Sequence, residues 1–144
     1  MIIARGGNVE LMHNAFKAAF GREPVDVCAA MLAPDFIINL AGVPHQMRGR
    51  EVWKHGMEAM RRGFPDMQAH IEDIFGSGDR VAARLTFRGT HKGEFQGIPA
   101  TGRAVEYTSI EIYRISGGLI AEEWICTDML TLMQQIGSPA PSKP

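Results

Sequence analysis

Asp128 is the first residue whose type and spacing suggest chemistry. It follows an alternating run over residues 119–127 and stands four positions after Trp124, so in an extended strand the two side chains share a face. If that face lines a pocket, the carboxyl sits beside an indole and other apolar groups. Burial of that kind raises an acid from its usual value of roughly 4 and equips it to exchange protons near neutrality. The same position also suits Asp128 to cap a helix over residues 128–136. In the adjacent Glu122-Glu123 pair, only Glu122 shares the face of Asp128 by alternation. His91 is the second candidate: at a strand end it can lean over a pocket mouth to bind a substrate oxygen or share the proton work, or it can hold a neighbouring backbone group. Asn39 and Tyr107 are candidates for hydrogen bonds to a ligand carbonyl or hydroxyl, against a structural role for each. Trp53 heads a stripe with Met57, Met60 and Phe64 that reads as core or as a ligand-lining wall, and with Trp124 it completes the substrate-contact candidates.

Other chemistries lack their residues. There is no Gly-x-Ser-x-Gly elbow and no phosphate-binding loop. His13, His45, His55 and His70 form no i, i+4 pair and no zinc spacing, so no metal site is expected. Cys28 and Cys126 are far apart in apolar surroundings, which reads as two reduced core thiols of a cytoplasmic protein. A formal net charge of -1 with scattered Lys and Arg leaves no basic stripe for nucleic acid. No apolar run approaches the ~18 residues that a membrane span needs.

The elements that must position these residues follow from periodicity. The chain has 144 residues, 45% of them apolar, which suits one domain with its own core. We read that domain as residues 1–137, and the Ser- and Pro-rich end, 138–144, as a disordered tail. Val9, Met12, Phe16 and Phe20 recur at helical spacing after Asn8, a candidate cap, and before Gly21. Pro24 suits the first turn of a short second helix running to about residue 32. Residues 36–40 read as a short extended piece, 42–49 as a Gly- and Pro-containing loop, and 50–62 as a third helix. Beyond residue 66 the period changes to two, giving strands over 67–75, 80–90, 103–115 and 119–127. Gly117-Gly118 turns tightly between the last two. Helices first and a meander after argue for an α+β fold, a curved antiparallel sheet packed against N-terminal helices with one pocket for a hydrophobic small molecule.

Several segments then occur in a familiar order: Phe64-Pro65-Asp66, Gly78-Asp79-Arg80-Val81, the loop from Gly89-Thr90-His91 to Arg103, Gly117-Gly118-Leu119-Ile120, Glu123-Trp124 and Gln135-Ile136-Gly137. Together they resemble the SnoaL-like polyketide cyclase family of the nuclear transport factor two-like superfamily. The resemblance implies a cone-shaped, cystatin-like α+β barrel and a homodimer. It implies an acid/base aldol ring closure or a related proton transfer on a hydrophobic carbonyl compound, without metal or organic cofactor; the same fold leaves open another isomerase or dehydratase, or a non-catalytic small-molecule-binding dimeric module. By the same resemblance Asp128 is the general acid/base, His91 a second pocket residue, and Asp128→Asn should abolish turnover. The chain departs from the family in one place, because many of these cyclases carry a histidine directly before the Trp, where this sequence has Glu123.

Overall fold

The computed structural model describes residues 3–137; the tail expected at 138–144 lies outside them. Helix α1 (Ile3–Phe20) turns Met12 and Phe16 into the core, where they are 1% and 8% exposed. It begins before Asn8, whose amide instead donates to the carbonyl of Gly78. Pro24 opens α2 (Val25–Ala29), which is shorter than its spacing suggests. The strand β1 (Leu32–Leu40) starts where the second helix was expected to finish. The loop after it contains a two-residue strand, β2 (Met47–Arg48). Helix α3 (Arg50–Gly63) stops at Phe64-Pro65, as a proline that cannot donate to the helix ladder dictates.

Four long strands follow: β3 (Gln68–Ser77), β4 (Arg80–Thr90), β5 (Ala104–Ser116) and β6 (Leu119–Thr127). Each pairs antiparallel with the next. Gly117 and Gly118, at φ 59° and 79°, adopt left-handed angles that suit the tight link between β5 and β6. A last helix, α4 (Met129–Gln135), packs Leu132 into the core.

The strand order is β2-β1-β6-β5-β4-β3. The architecture is α+β, with one correction to the expected antiparallel sheet: β1 runs parallel to β6, so the sheet is mixed, and it stays open at the β2 and β3 edges. Long-range pairing of this sort leaves no local trace in a sequence. The inner face of the curved sheet carries Val81, Ala83, Leu85 and Phe87 from β4 and Val105 and Ile115 from β5, all buried. Helices α1 and α3 lie across that face but do not fill its concavity.

Candidate active site

A cavity of about 670 Å³ lies between the concave face of the sheet and helices α1 and α3. That volume falls within the range of sites that enclose most of a drug-sized ligand. Its walls are apolar and aromatic, with Phe16 and Phe20 from α1, Trp53 and Met57 from α3, and Phe87 and Tyr107 from the sheet. Phe16 meets Tyr113 edge-on at 5.7 Å, and Phe87 stacks on Tyr107 at 5.3 Å. Trp53, Met57 and Met60 are half-buried because they form a wall of the hollow.

Two buried carboxyl groups interrupt this apolar lining. Along β5 the inward residues are Val105, Tyr107, Ser109, Glu111, Tyr113 and Ile115, all buried. The two isoleucines between them, Ile110 and Ile112, face outward at 58% and 40% exposure. Apolar surface is thus left in water while a carboxyl is placed inside, an inversion that packing alone does not explain. On β6 the inward residues are Glu123, Ile125 and Thr127. Tyr113 stands opposite Glu123 and Ile125 opposite Glu111, so the two glutamates are diagonal neighbours across the β5–β6 pair.

Their surroundings differ. Glu111, 5% exposed, accepts hydrogen bonds from the Ser109 hydroxyl at 2.8 Å and from the Tyr113 hydroxyl. Burial raises its pKa above the ordinary glutamate value, and the two donors work against that rise. Glu123, 7% exposed, has no side-chain hydrogen bond or ion pair among the described residues. Burial, with the charge of Glu111 adding to it, pushes its pKa up to about 8. It is therefore mostly protonated at neutral pH. Burial also raises the pKa of Tyr107, which leaves its phenol a donor.

The residues singled out in the sequence distribute differently. Asp128 is corrected from pocket carboxylate to helix cap. Its Oδ1 accepts from the Thr131 amide at 3.1 Å and its Oδ2 from the Thr131 hydroxyl at 2.7 Å, and the side chain is exposed. The hydroxyl and then the amide hold its pKa below the usual carboxylate value, opposite to a group poised to exchange protons at pH 7. Trp124 does share a face with Asp128, but it is the outer one, where Arg80 lies 4.8 Å over the indole. Asn39 also points away from the cavity: its amide donates to Glu122 at 3.0 Å and to the Glu123 carbonyl at 2.9 Å. Arg114 closes that outer network on Glu122 at 3.1 Å.

His91 is fully buried outside the cavity, packed 5.4 Å from the Phe64 ring. Its Nδ1 meets the Thr101 hydroxyl at 2.9 Å, and backbone bonds tie it to Gly102 and Arg103, so it pins the two ends of the 91–103 loop together. Tyr107 and Trp53, by contrast, line the cavity. No group of three His, Cys, Asp or Glu side chains placed to hold a metal occurs among the described residues. Glu111, Tyr113 and Glu123 escaped the sequence reading. The available signal was phase: Ser109, Glu111 and Tyr113 are in step with Val105, Tyr107 and Ile115, which anchor the buried face.

Comparison with known proteins adds to this geometry. The family model for SnoaL-like polyketide cyclases matches residues 10–136. Aklanonic acid methyl ester cyclase DnrD of Streptomyces peucetius is 32% identical over 109 residues, covering 73% of this chain and 74% of its own. Its counterpart DauD from Streptomyces sp. (strain C5) is 32% identical over 128 residues, covering 86% and 78%. Among solved structures, IdmH of Streptomyces antibioticus superimposes with a TM-score of 0.75 at 34% identity, over 89% of this chain and 96% of that one. A SnoaL-like protein of Jannaschia sp. CCS1 reaches 0.85 over 94% and 95%; at 24% identity it speaks for the fold alone.

Proposed function

This chain belongs to the SnoaL-like polyketide cyclase family, and from that premise we propose that it closes a ring in a hydrophobic carbonyl compound by acid/base catalysis, with Glu123 as the proton-transfer group. One observation carries the assignment: Glu123 is the unpartnered carboxyl in the cavity wall. In its ionised form it takes a proton from the carbon between activating carbonyl groups. The substrate's own conjugation spreads the resulting enolate, which attacks a second carbonyl to form the carbon–carbon bond. The protonated Glu123 then returns its proton to the new alkoxide. A pKa near neutrality serves both halves of the cycle, since the group accepts and releases protons at comparable cost.

The neighbouring groups support that role. Glu111, held by Ser109 and Tyr113, lies diagonally beside Glu123, and its charge raises the basicity of that carboxyl. Tyr107 offers its phenol to a substrate carbonyl and stabilises charge that develops there. Trp53 and Phe20 contact the rings of the substrate. The outer sheet face, with exposed Ile110 and Ile112, is the surface on which we place a second copy of the chain. The two free thiols, Cys28 in the core and Cys126 exposed rather than in the core as expected, suit a reducing, cytoplasmic setting.

The test is turnover of polyketide methyl esters, beginning with aklanonic acid methyl ester, followed by mass spectrometry. Glu123→Gln keeps the shape and removes the titration, and it should lower kcat by about 100-fold or more, the usual worth of a positioned acid/base group. Asp128→Asn should leave kcat within about twofold, since that side chain only caps α4. The reverse pattern, an active Glu123→Gln beside a dead Asp128→Asn, would overturn the assignment, as would a wild-type protein that cyclises none of these esters.

A further inference from the structure

The charges around the cavity are one-sided. Among the described residues that line it, the charged ones are Arg62, Glu94, Glu111 and Glu123. Arg62 and Glu94 are exposed. The inner wall carries both buried carboxyls and no cation: α1 contributes only Met, Ala and Phe there, and β1 only Ile38 and Leu40. Glu123 is more than nine-tenths buried, lacks a protein partner, and stands opposite the Tyr113 ring, against which Phe16 packs edge-on.

An unpartnered carboxyl held in an aromatic hollow has two ways to avoid a costly buried charge. It can stay protonated, or it can take up a positive ligand. Aromatic faces also attract cations, with quaternary and protonated amines as their natural guests. An anionic ligand finds no cation at this wall and meets like charge wherever one of its carboxyls is ionised. The repulsion is strong because the surroundings are poorly solvated.

We propose that the inner end of the cavity is a receptor for a hydrophobic cation: a ring-bearing molecule with a protonated or quaternary nitrogen seated between Glu123 and the aromatic wall, with the matching carboxylate excluded. This rests on the cavity being the substrate site of the reading above, but not on ring closure, and it adds compounds carrying a basic nitrogen to the ligands that the inner end accepts.

Three naphthalene probes test it by calorimetry without any turnover: 2-naphthylmethyl-trimethylammonium, its uncharged carbon isostere, and 2-naphthylacetate. The groups facing Glu123 are Glu111 and Tyr113 from β5, with Arg62 of α3 and Glu94 of the 91–103 loop as the other charged lining residues. With Glu123 titrating at about 8, roughly one tenth is ionised at pH 7 and nine tenths at pH 9. Ammonium affinity should therefore rise about tenfold between these pH values, with proton release on binding at pH 7. The isostere should show no such rise, and the acetate should bind most weakly of the three. Glu123→Gln should remove both the rise and the proton release while leaving affinity for the isostere intact.

Equal affinities for the ammonium and its isostere, a pH-independent ammonium affinity, or tighter binding of the acetate would each overturn the proposal. All three need only the wild-type protein, so they stand even if the variant fails to fold. Loss of charge selection with cyclase turnover retained would refute this inference alone. Intact selection with no turnover would refute ring closure alone.

Discussion

Glu123→Gln should make the protein more stable at alkaline pH and remove most of a pH slope that the wild type carries. The carboxyl rises from 4.5, its ordinary value, to about 8 in the folded state. A group whose folded pKa lies above its unfolded one holds its proton longer in the folded protein. Its stabilising share is complete below the unfolded value and is lost as pH rises toward the folded one. A shift of more than three units at about 1.36 kcal/mol each amounts to roughly 5 kcal/mol, most of which falls between pH 5 and 8. Urea unfolding at about pH 5, 6.5 and 8 measures this, because the titrating groups remote from Glu123 are common to both proteins and cancel in the difference, which leaves the Glu111–Glu123 pair. The variant should match the wild type within about 1 kcal/mol at pH 5 and exceed it by roughly 3 kcal/mol at pH 8. Parallel stability profiles for the two proteins would refute the idea that Glu123 is buried without a partner. A wild type less stable than the variant at pH 5 and more stable at pH 8 would refute even the sign.

Two further expectations follow from packing and from the outer face. A Cβ added at Gly93 would lie 2.0 Å from the backbone carbonyl oxygen of Arg62, so Gly93→Ala must push the 91–103 loop off the end of α3. Thermal and urea unfolding should show a loss of about 1–3 kcal/mol, the usual cost of overpacking, and unchanged stability would refute this contact. If two copies pair through the outer sheet face, a charge at its exposed centre should separate them. Ile110→Glu should convert a dimer to a monomer in analytical ultracentrifugation with its circular dichroism unchanged; a wild type that is monomeric at all concentrations would refute the pairing.

How far the residues alone carried the reading is clearest strand by strand. The ends of β4 and β6 were legible to the residue, because clean period-2 alternation lies between turn residues that stop it. The family resemblance was legible for a related reason: the loops from 64–66 to 117–118 impose local backbone shapes and close approaches, such as Gly93 against Arg62, that few residues satisfy. The parallel pairing of β1 with β6 was not legible, since it joins segments about eighty residues apart and nothing in either segment names the other.

The site shows the same divide. Alternation states that Glu123 and Trp124 occupy opposite faces of β6; it does not state which face is covered. Hydrophobicity favours Trp124 inside, and Ile110 and Ile112 over Glu111 and Tyr113. The structure reverses both choices. The deciding factor is where α1 and α3 lie and how the sheet curves toward them, a property of the assembled layers and of no single strand. The sequence by itself determined the fold class, the ends of β4 and β6 and the family. Only the tertiary arrangement decided that the buried carboxyls are Glu111 and Glu123 and that Asp128 caps a helix, because burial is a relation between elements and a strand carries only half of it.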